Sequence, residues 1–176
     1  DRKQAVSTTN PEIFEENHFI NEIIWYYDDK FATGGKALDK NHDVIYRYSK
    51  SSNYIGNEIR IPKAKTTKRA LRKKVDGKTI DIVDEKGNKI YAEYSDKRID
   101  DVWQIPRTLS KNETLKYPTQ KKEKLLERII RYGSSDGDLV LDFFGGSGTT
   151  AGVAEKVGRK WIVCDIGKLA FYTIQK

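Results

Sequence analysis

Cysteine is almost missing from this chain. Cys164 is the only one among 176 residues, which excludes an internal disulfide and any cysteine-based zinc cluster. No apolar run approaches the roughly 20 residues that a membrane-crossing helix needs, and no signal-peptide pattern opens the sequence. His42, in "KNHDVIY", has no histidine or cysteine close to it in sequence, so it reads as a loop or strand-start residue and no metal site is expected. With 37% hydrophobic and 34% charged residues, the chain suits a polar globular protein with one domain's worth of core. The cytoplasm is the simplest compartment. The first residue is Asp1 rather than methionine, as in a fragment or a trimmed chain.

The net charge of +7 is unevenly placed, and one stretch lacks acids altogether. Arg60 to Lys74, "RIPKAKTTKRALRKK", carries eight basic residues. Such a run suits a polyanion, nucleic acid foremost. A solvated, mobile charge run explains it as well.

Residues 11–16 read as the end of a helix. "FINEIIWYY" (Phe19 to Tyr27) is rich in β-formers and reads as a strand. "DVIYRYS" (Asp43 to Ser49) is a second, so residues 19–49 form a hairpin with a long polar connection. Between about 50 and 100, basic sequence gives way to the strand-like pieces "KTIDIVD" and "NKIYAEY" around a "DEKGNK" turn, a small β-rich insert. "YPTQKKEKLLERIIRYG" reads as a helix, with Thr119 as N-cap after Pro118 and Gly133 as its stop. Leu125, Leu126, Ile129 and Ile130 share one face of it. A strand at Leu139 to Phe143, a glycine turn, the helix "TTAGVAEKVG" and the strand "RKWIVCD" then form a βαβ unit. The fold class is α/β with a parallel sheet.

Within "VLDFFGGSGTT" the glycine turn admits three ligands. A phosphate-cradling P-loop needs Gly-Lys-Ser/Thr, but Gly148 is followed by Thr149 and Thr150, with no lysine between it and Lys156. A dinucleotide fits better, because Gly146-x-Gly148-x-x-Ala151 matches G-x-G-x-x-G/A and Asp165 stands where a ribose-binding acid belongs. Asp142 argues against it, since a carboxylate there repels a pyrophosphate and attracts the cationic S-adenosylmethionine. A plainer role, with Asp142 capping a helix and Asp165 closing a turn, stands beside these.

Together these segments resemble the amino-group DNA methyltransferases in which the catalytic half precedes the cofactor half, and are similar to the modification subunits of type III restriction-modification systems. "YPTQKKEKLLERII" resembles the family's Thr-Gln-Lys-Pro cofactor-side motif, with Lys122 in place of the proline. "DFFGGSGTT" resembles its Asp-x-Phe-x-Gly-x-Gly motif, and "GRKWIVCDI" the strand ending in the ribose acid. "FINEIIWYY", "NHDVIYRYSK" and "DDVWQIP" resemble segments of the catalytic half. The resemblance implies a partial Rossmann-like S-adenosylmethionine-dependent methyltransferase fold in three segments: the end of the catalytic half at 1–50, a basic target-recognition insert at 51–116 and the cofactor half at 117–176. It implies S-adenosylmethionine as cofactor, held by Asp142, Phe143, Phe144, Gly145, Gly146, Gly148, Thr149 and Asp165, with Thr119, Gln120 and Lys121 at the methionine. Double-stranded DNA would meet Lys63, Lys65, Lys68, Arg69, Arg72, Lys73 and Lys74. The activity implied is methylation of an exocyclic amine, adenine-N6 before cytosine-N4, in a bacterial or phage restriction-modification setting that leaves room for a homodimer and a restriction subunit.

The family's catalytic loop, Asp/Asn/Ser-Pro-Pro-aromatic, is missing. The prolines are Pro11, Pro62, Pro106 and Pro118, and none adjoins another. No catalytic residue is assigned, the loop is expected upstream of residue 1, and these residues alone are expected not to methylate DNA. Asn41 and His42 fall near the family's target-base pocket. Trp25 and Trp103 read as core or interface aromatics, Tyr46, Tyr48 and Tyr54 as strand residues able to touch DNA, and Cys164 as inert packing on a buried strand. Two other classes remain open: a DNA- or partner-binding module without catalysis, and a nicotinamide-dependent oxidoreductase.

Overall fold

The computed structural model describes residues 18–29 and 34–175; the helix end expected at 11–16 lies outside them. In chain order the strands are β1 (Phe19–Tyr26), β2 (His42–Tyr48), β3 (Arg60–Ala70), β4 (Arg72–Val75), β5 (Lys78–Asp81), β6 (Tyr91–Arg98) and β7 (Val102–Gln104). Helix α1 (Glu123–Gly133), strand β8 (Leu139–Asp142), helix α2 (Thr149–Lys156), strand β9 (Lys160–Val163) and helix α3 (Lys168–Ile174) follow. The chain divides into two units, Asp1–Asn57 with Asp100–Lys176, and Glu58–Ile99.

In the first unit β1 is the middle strand of three. β2 runs antiparallel along one edge, from Phe19↔Tyr48 to Tyr26↔His42, and β7 lies parallel along the other, Trp25 opposite Trp103. Alternate side chains Ile23, Trp25 and Tyr27 are buried, as are Trp103 and Ile105, which is the period of two expected of strands with one covered face. Both indoles keep a hydrogen bond on burial: Trp25 Nε1 donates to the Ile105 carbonyl at 2.8 Å and Trp103 Nε1 to that of Asp100 at 2.7 Å.

The βαβ pattern is realised by β8, α2 and β9. The two strands pair in parallel from Leu139↔Lys160 to Asp142↔Val163. Ile130 of α1 packs with Val153, Ala154 and Val157, supported by Leu126 and Val140. Leu125 and Ile130 are the buried side chains of α1. Arg159, just before β9, is buried too, and its guanidinium is occupied by Ser134, Asp136 and the Val157 carbonyl. A buried charge held this fully is affordable.

Two local expectations are corrected. α1 begins at Glu123, not after Pro118, and its N-cap is Lys122, whose side chain caps nothing. The amide of Glu123 donates instead to Glu113 Oε1 at 2.6 Å, while Thr119 sits at φ +63°, a left-handed position unusual for a β-branched residue. A carboxylate ten residues upstream has taken the cap's place. Cys164 is exposed rather than buried, because β9 ends at Val163.

The second unit is all β. β3 pairs antiparallel with β6, with an irregularity between Pro62 and Thr67, where the proline has no amide to give the ladder. β4 and β5 form a tight hairpin from Arg72↔Asp81 to Val75↔Lys78. Its two turn residues, Asp76 and Gly77, both have positive φ, 50° and 75°, the conformation that suits strand twist in two-residue hairpins. The basic run thus forms most of β3 and β4, with its side chains largely exposed to solvent. None of the side chains from 58 to 99 is fully buried.

Ile130→Ala should lower the unfolding free energy by about 2–4 kcal/mol, whereas Ile162→Ala, at a half-exposed strand position, should cost under about 1 kcal/mol. Urea denaturation of the two variants checks the order.

Candidate functional site

β8 ends on Asp142, and the chain then turns through Phe143 to Gly148 into α2. The turn lies flat on the end of β9. Cys164 N–H donates to the Asp142 carbonyl at 2.8 Å, Gly145 N–H to the Cys164 carbonyl at 2.9 Å and Gly148 N–H to the Gly145 carbonyl at 2.8 Å. Gly145 has no room for a side chain, since a Cβ there would meet Val163 Cγ1 at 1.9 Å. At Gly146, φ is +52° and a Cβ would lie 3.2 Å from Tyr117.

Both acids fasten this turn. Asp142 Oδ1 accepts from the Phe144 amide at 3.0 Å and Oδ2 from the Thr150 hydroxyl at 2.7 Å. Asp165 Oδ2 accepts from the Gly146 amide at 2.8 Å and Oδ1 from the Gly167 amide at 2.7 Å. The amides of Gly167 and Gly146 hold the Asp165 carboxyl below its ordinary range, so it is ionised at neutral pH. Each carboxylate oxygen retains a second lone pair for a ligand.

A cleft of about 240 Å³ opens beside the turn. Asp142, Phe144, Gly145, Gly146 and Thr149 line one wall, and Tyr117, Thr119, Gln120 and Lys121 the other. Eight sequence candidates thus meet around one space. Asp165 joins them through Gly146. Phe143, 62% exposed, and Gly148 do not line the cleft; a Cβ at Gly148 would meet Ile174 at 2.8 Å. Phe144 is 90% exposed, so its ring is available to a ligand rather than spent in the core. Tyr117, Leu126, Ser147 and Thr150 also line the cleft and were missed. Thr150 could have been found from its place one turn into the helix after the glycines, where its hydroxyl reaches back to Asp142.

Gln120 has a second task. Its amide oxygen accepts from Leu115 N–H and its nitrogen donates to the Glu113 carbonyl, both at 2.9 Å, pinning the chain before α1. Residues 117–121 also border a neighbouring cleft of about 460 Å³ with Trp25, Asp29, Arg107, Thr108 and Leu109. There Asp29 accepts from the amides of Arg107 at 2.9 Å and Thr108 at 2.6 Å. Burial raises its carboxyl, but the Thr108 hydroxyl and these amides prevail and bring it down to about 2. Asn41 leaves a buried side-chain oxygen without a partner, and His42 is exposed at the start of β2.

The basic candidates belong to the second unit, and they fall into two groups. Lys63 bonds Thr67, Lys68 pairs with Glu93 at 3.1 Å and Arg72 pairs with Asp81 at 2.9 Å. Lys65, Arg69, Lys73 and Lys74 make no ion pair among the described residues.

Strand, glycine turn, helix and parallel strand, with an acid at the end of each strand and a cleft beside the turn, define a cofactor-binding α/β domain. The chain belongs to the DNA methylase family of the N6/N4 methyltransferase type, whose model matches residues 3–176. It is 33% identical to the type II methyltransferase M1.MboII of Moraxella bovis over 84% of this chain and 58% of that protein. It is 32% identical to the DNA adenine methyltransferase YhdJ of Escherichia coli over 83% of this chain and 47% of the relative. The chain spans about half the length of these relatives. Among solved structures it is similar to M1.HpyAVI, crystallised with SAM, at a TM-score of 0.61 and 21% identity, covering 98% of this chain and 68% of that one. It is also similar to the cytosine-N4-specific PvuII DNA methyltransferase, at a TM-score of 0.55 and 19% identity, covering 85% and 48%. The fold is the partial methyltransferase α/β fold, and family membership sets the nicotinamide alternative aside.

Gly145→Ala should destabilise the first unit by about 1–3 kcal/mol through overpacking, and adding Val163→Ala should restore most of the loss; melting temperatures of the two variants test this. Asp29 is depressed when folded, so its contribution is full above about pH 4 and is lost as pH falls towards 2. Asp29→Asn should flatten the acid limb of a stability-versus-pH curve in that window.

Proposed function

We propose that the cleft beside the glycine turn binds S-adenosylmethionine, and that the protein to which these residues belong methylates an exocyclic amine in duplex DNA, adenine-N6 before cytosine-N4. The observation that carries this reading is a cleft fastened by two acids, Asp142 and Asp165, in a chain of the DNA methylase family. When bound, the donor supplies a methyl group on a positively charged sulfur. The chain's own residues fit such a ligand. Asp142 offers a negative charge to the cationic methionine end, where a pyrophosphate would be repelled. Lys121 is available to the carboxylate of that end, Asp165 to the ribose hydroxyls and the exposed Phe144 ring to the purine. The glycines let the backbone approach closely. The role of all of these is to bind and orient.

The catalytic Pro-Pro-aromatic loop of the family does not occur in this sequence, and we propose that these 176 residues bind donor and DNA without transferring the methyl group themselves. The basic second unit is the proposed DNA contact, bound with strong salt dependence. The setting proposed is a bacterial or phage restriction-modification system; M1.MboII and other relatives are type II by name, whereas the motif set resembles type III subunits. A homodimer or a restriction subunit as further partner belongs to the same proposal.

Titration calorimetry with S-adenosylmethionine and NAD separates this from the alternatives. Saturable binding of the first is expected, with Asp142→Asn and Asp165→Asn each weakening it about tenfold, about 1.4 kcal/mol. Selective binding of NAD would end the methyltransferase reading, and binding of neither with intact DNA binding would favour a non-catalytic module.

A further inference from the structure

The DNA reading treats the basic run as one electropositive stretch. The strand register separates its residues into two faces with different chemistry. In the β4–β5 hairpin Lys73 stands opposite Ile80 and Val75 opposite Lys78, whereas Arg72 stands opposite Asp81 and Lys74 opposite Thr79. Directly paired residues share a face and neighbours along a strand alternate. One face therefore carries Lys73, Val75, Lys78 and Ile80, and the other Arg72, Lys74, Thr79 and Asp81.

The second of these faces is committed inside the protein. Asp81 holds Arg72 at 2.9 Å and Lys89 at 2.6 Å, and these cations pull its carboxyl below the ordinary range, the Lys89 hydrogen bond most strongly. The first face has no acid in either strand, and its two lysines make no ion pair among the described residues. Val75 and Ile80 lie between them, 42% and 41% exposed. Single exposed aliphatics are commonplace. Two on adjacent strands, interleaved with unpaired lysines and with no buried side chain beneath them anywhere in the unit, form a surface that is both cationic and apolar. Phosphates need the first property, and the sugar edges and thymine methyls of a groove reward the second.

Dimensions agree. A two-stranded ribbon fits the major groove, about 12 Å wide and about 8.5 Å deep. Strands of four residues at about 3.3 Å each extend about 13 Å, and the Asp76-Gly77 turn keeps the end narrow. Asp76 sits at the tip. A carboxylate in the groove can accept only from an amino group such as that of cytosine, so it restricts approach instead of driving it. By contrast β3–β6 ties Lys68 to Glu93 and Arg60 to Asp96 and to Glu58 just before β3. Lys65 and Arg69, which make no ion pair among the described residues, have only alanine, threonine and lysine beside them on their own strand.

We infer that the β4–β5 hairpin enters the major groove of duplex DNA on its Lys73, Val75, Lys78 and Ile80 face, an inference that rests on the DNA reading above. The test is fluorescence anisotropy of the 176-residue protein with a labelled mixed-sequence duplex at several salt concentrations. Lys73→Gln with Lys78→Gln should weaken binding about tenfold or more and reduce the salt slope by about two, while Lys73→Arg with Lys78→Arg retains it. Val75→Thr with Ile80→Thr should weaken binding with the slope unchanged. A control of equal charge on β3, Lys65→Gln with Arg69→Gln, should do less. A duplex whose major groove is filled by glucosylated hydroxymethylcytosine should not bind, whereas distamycin in the minor groove should not compete. Binding to the glucosylated duplex, or a control pair as damaging as the hairpin pair, overturns the hairpin assignment and leaves the DNA reading standing. No salt-dependent binding of the unaltered protein to any duplex overturns both.

Discussion

The first unit depends on a close approach of backbone to side chain. The glycine turn after β8 rests on Val163 at the end of β9, and a methyl group at Gly145 would occupy the same space as Cγ1 of that valine. Because Gly145 has no side chain, its amide reaches the Cys164 carbonyl. The next amide, that of Gly146, then reaches Asp165, and α2 starts at the angle that buries Val153 and Ala154 against Ile130. The cleft is the space that this contact leaves between the turn and residues 117–121.

Asp142 and Asp165 illustrate how a structural and a functional role coincide. Each ties backbone or hydroxyl donors of the turn, and each also places a negative charge beside the opening. Backbone amides hold the Asp165 carboxylate ionised and fix its position, so its field is set before a ligand arrives and little reorganisation is needed on binding. Asp142 caps no helix, since the N-cap of α2 is Gly148 with no side-chain cap; the turn role of Asp165 is compatible with ligand binding, where the sequence presented the two as alternatives. Opposite charge is concentrated in the second unit, whose hairpin carries Lys73 and Lys78 on a face without an acid.

Much of this was legible in the sequence because it was carried by local pattern. The alternation in "FINEIIWYY", the helical face of Leu125 to Ile130 and the order strand, glycines, helix, strand each specify their element without distant help. What escaped depended on partners far along the chain. Thr119 has the composition of an N-cap, yet Glu113 takes the first amide of α1, and no local rule would reveal that exchange. Gln120 looks like a ligand contact and spends its amide on Glu113 and Leu115. Cys164 was misplaced by one residue at a strand end, where boundaries are set by which carbonyl the next turn happens to use. The basic run hid its strands because alternation is visible only when one face is apolar, and here both faces carry lysine or arginine.

The central claim, that donor binding is organised around the glycine turn and the 117–121 wall, is tested most directly by following backbone amide resonances of the chain during titration with S-adenosylmethionine. The account predicts saturable shifts confined to residues 117–121, 142–150 and 164–167, largest at Gly146, whose amide is shared with Asp165. Shifts that saturate while leaving those amides unmoved, with the changes collected elsewhere in the fold, would contradict it.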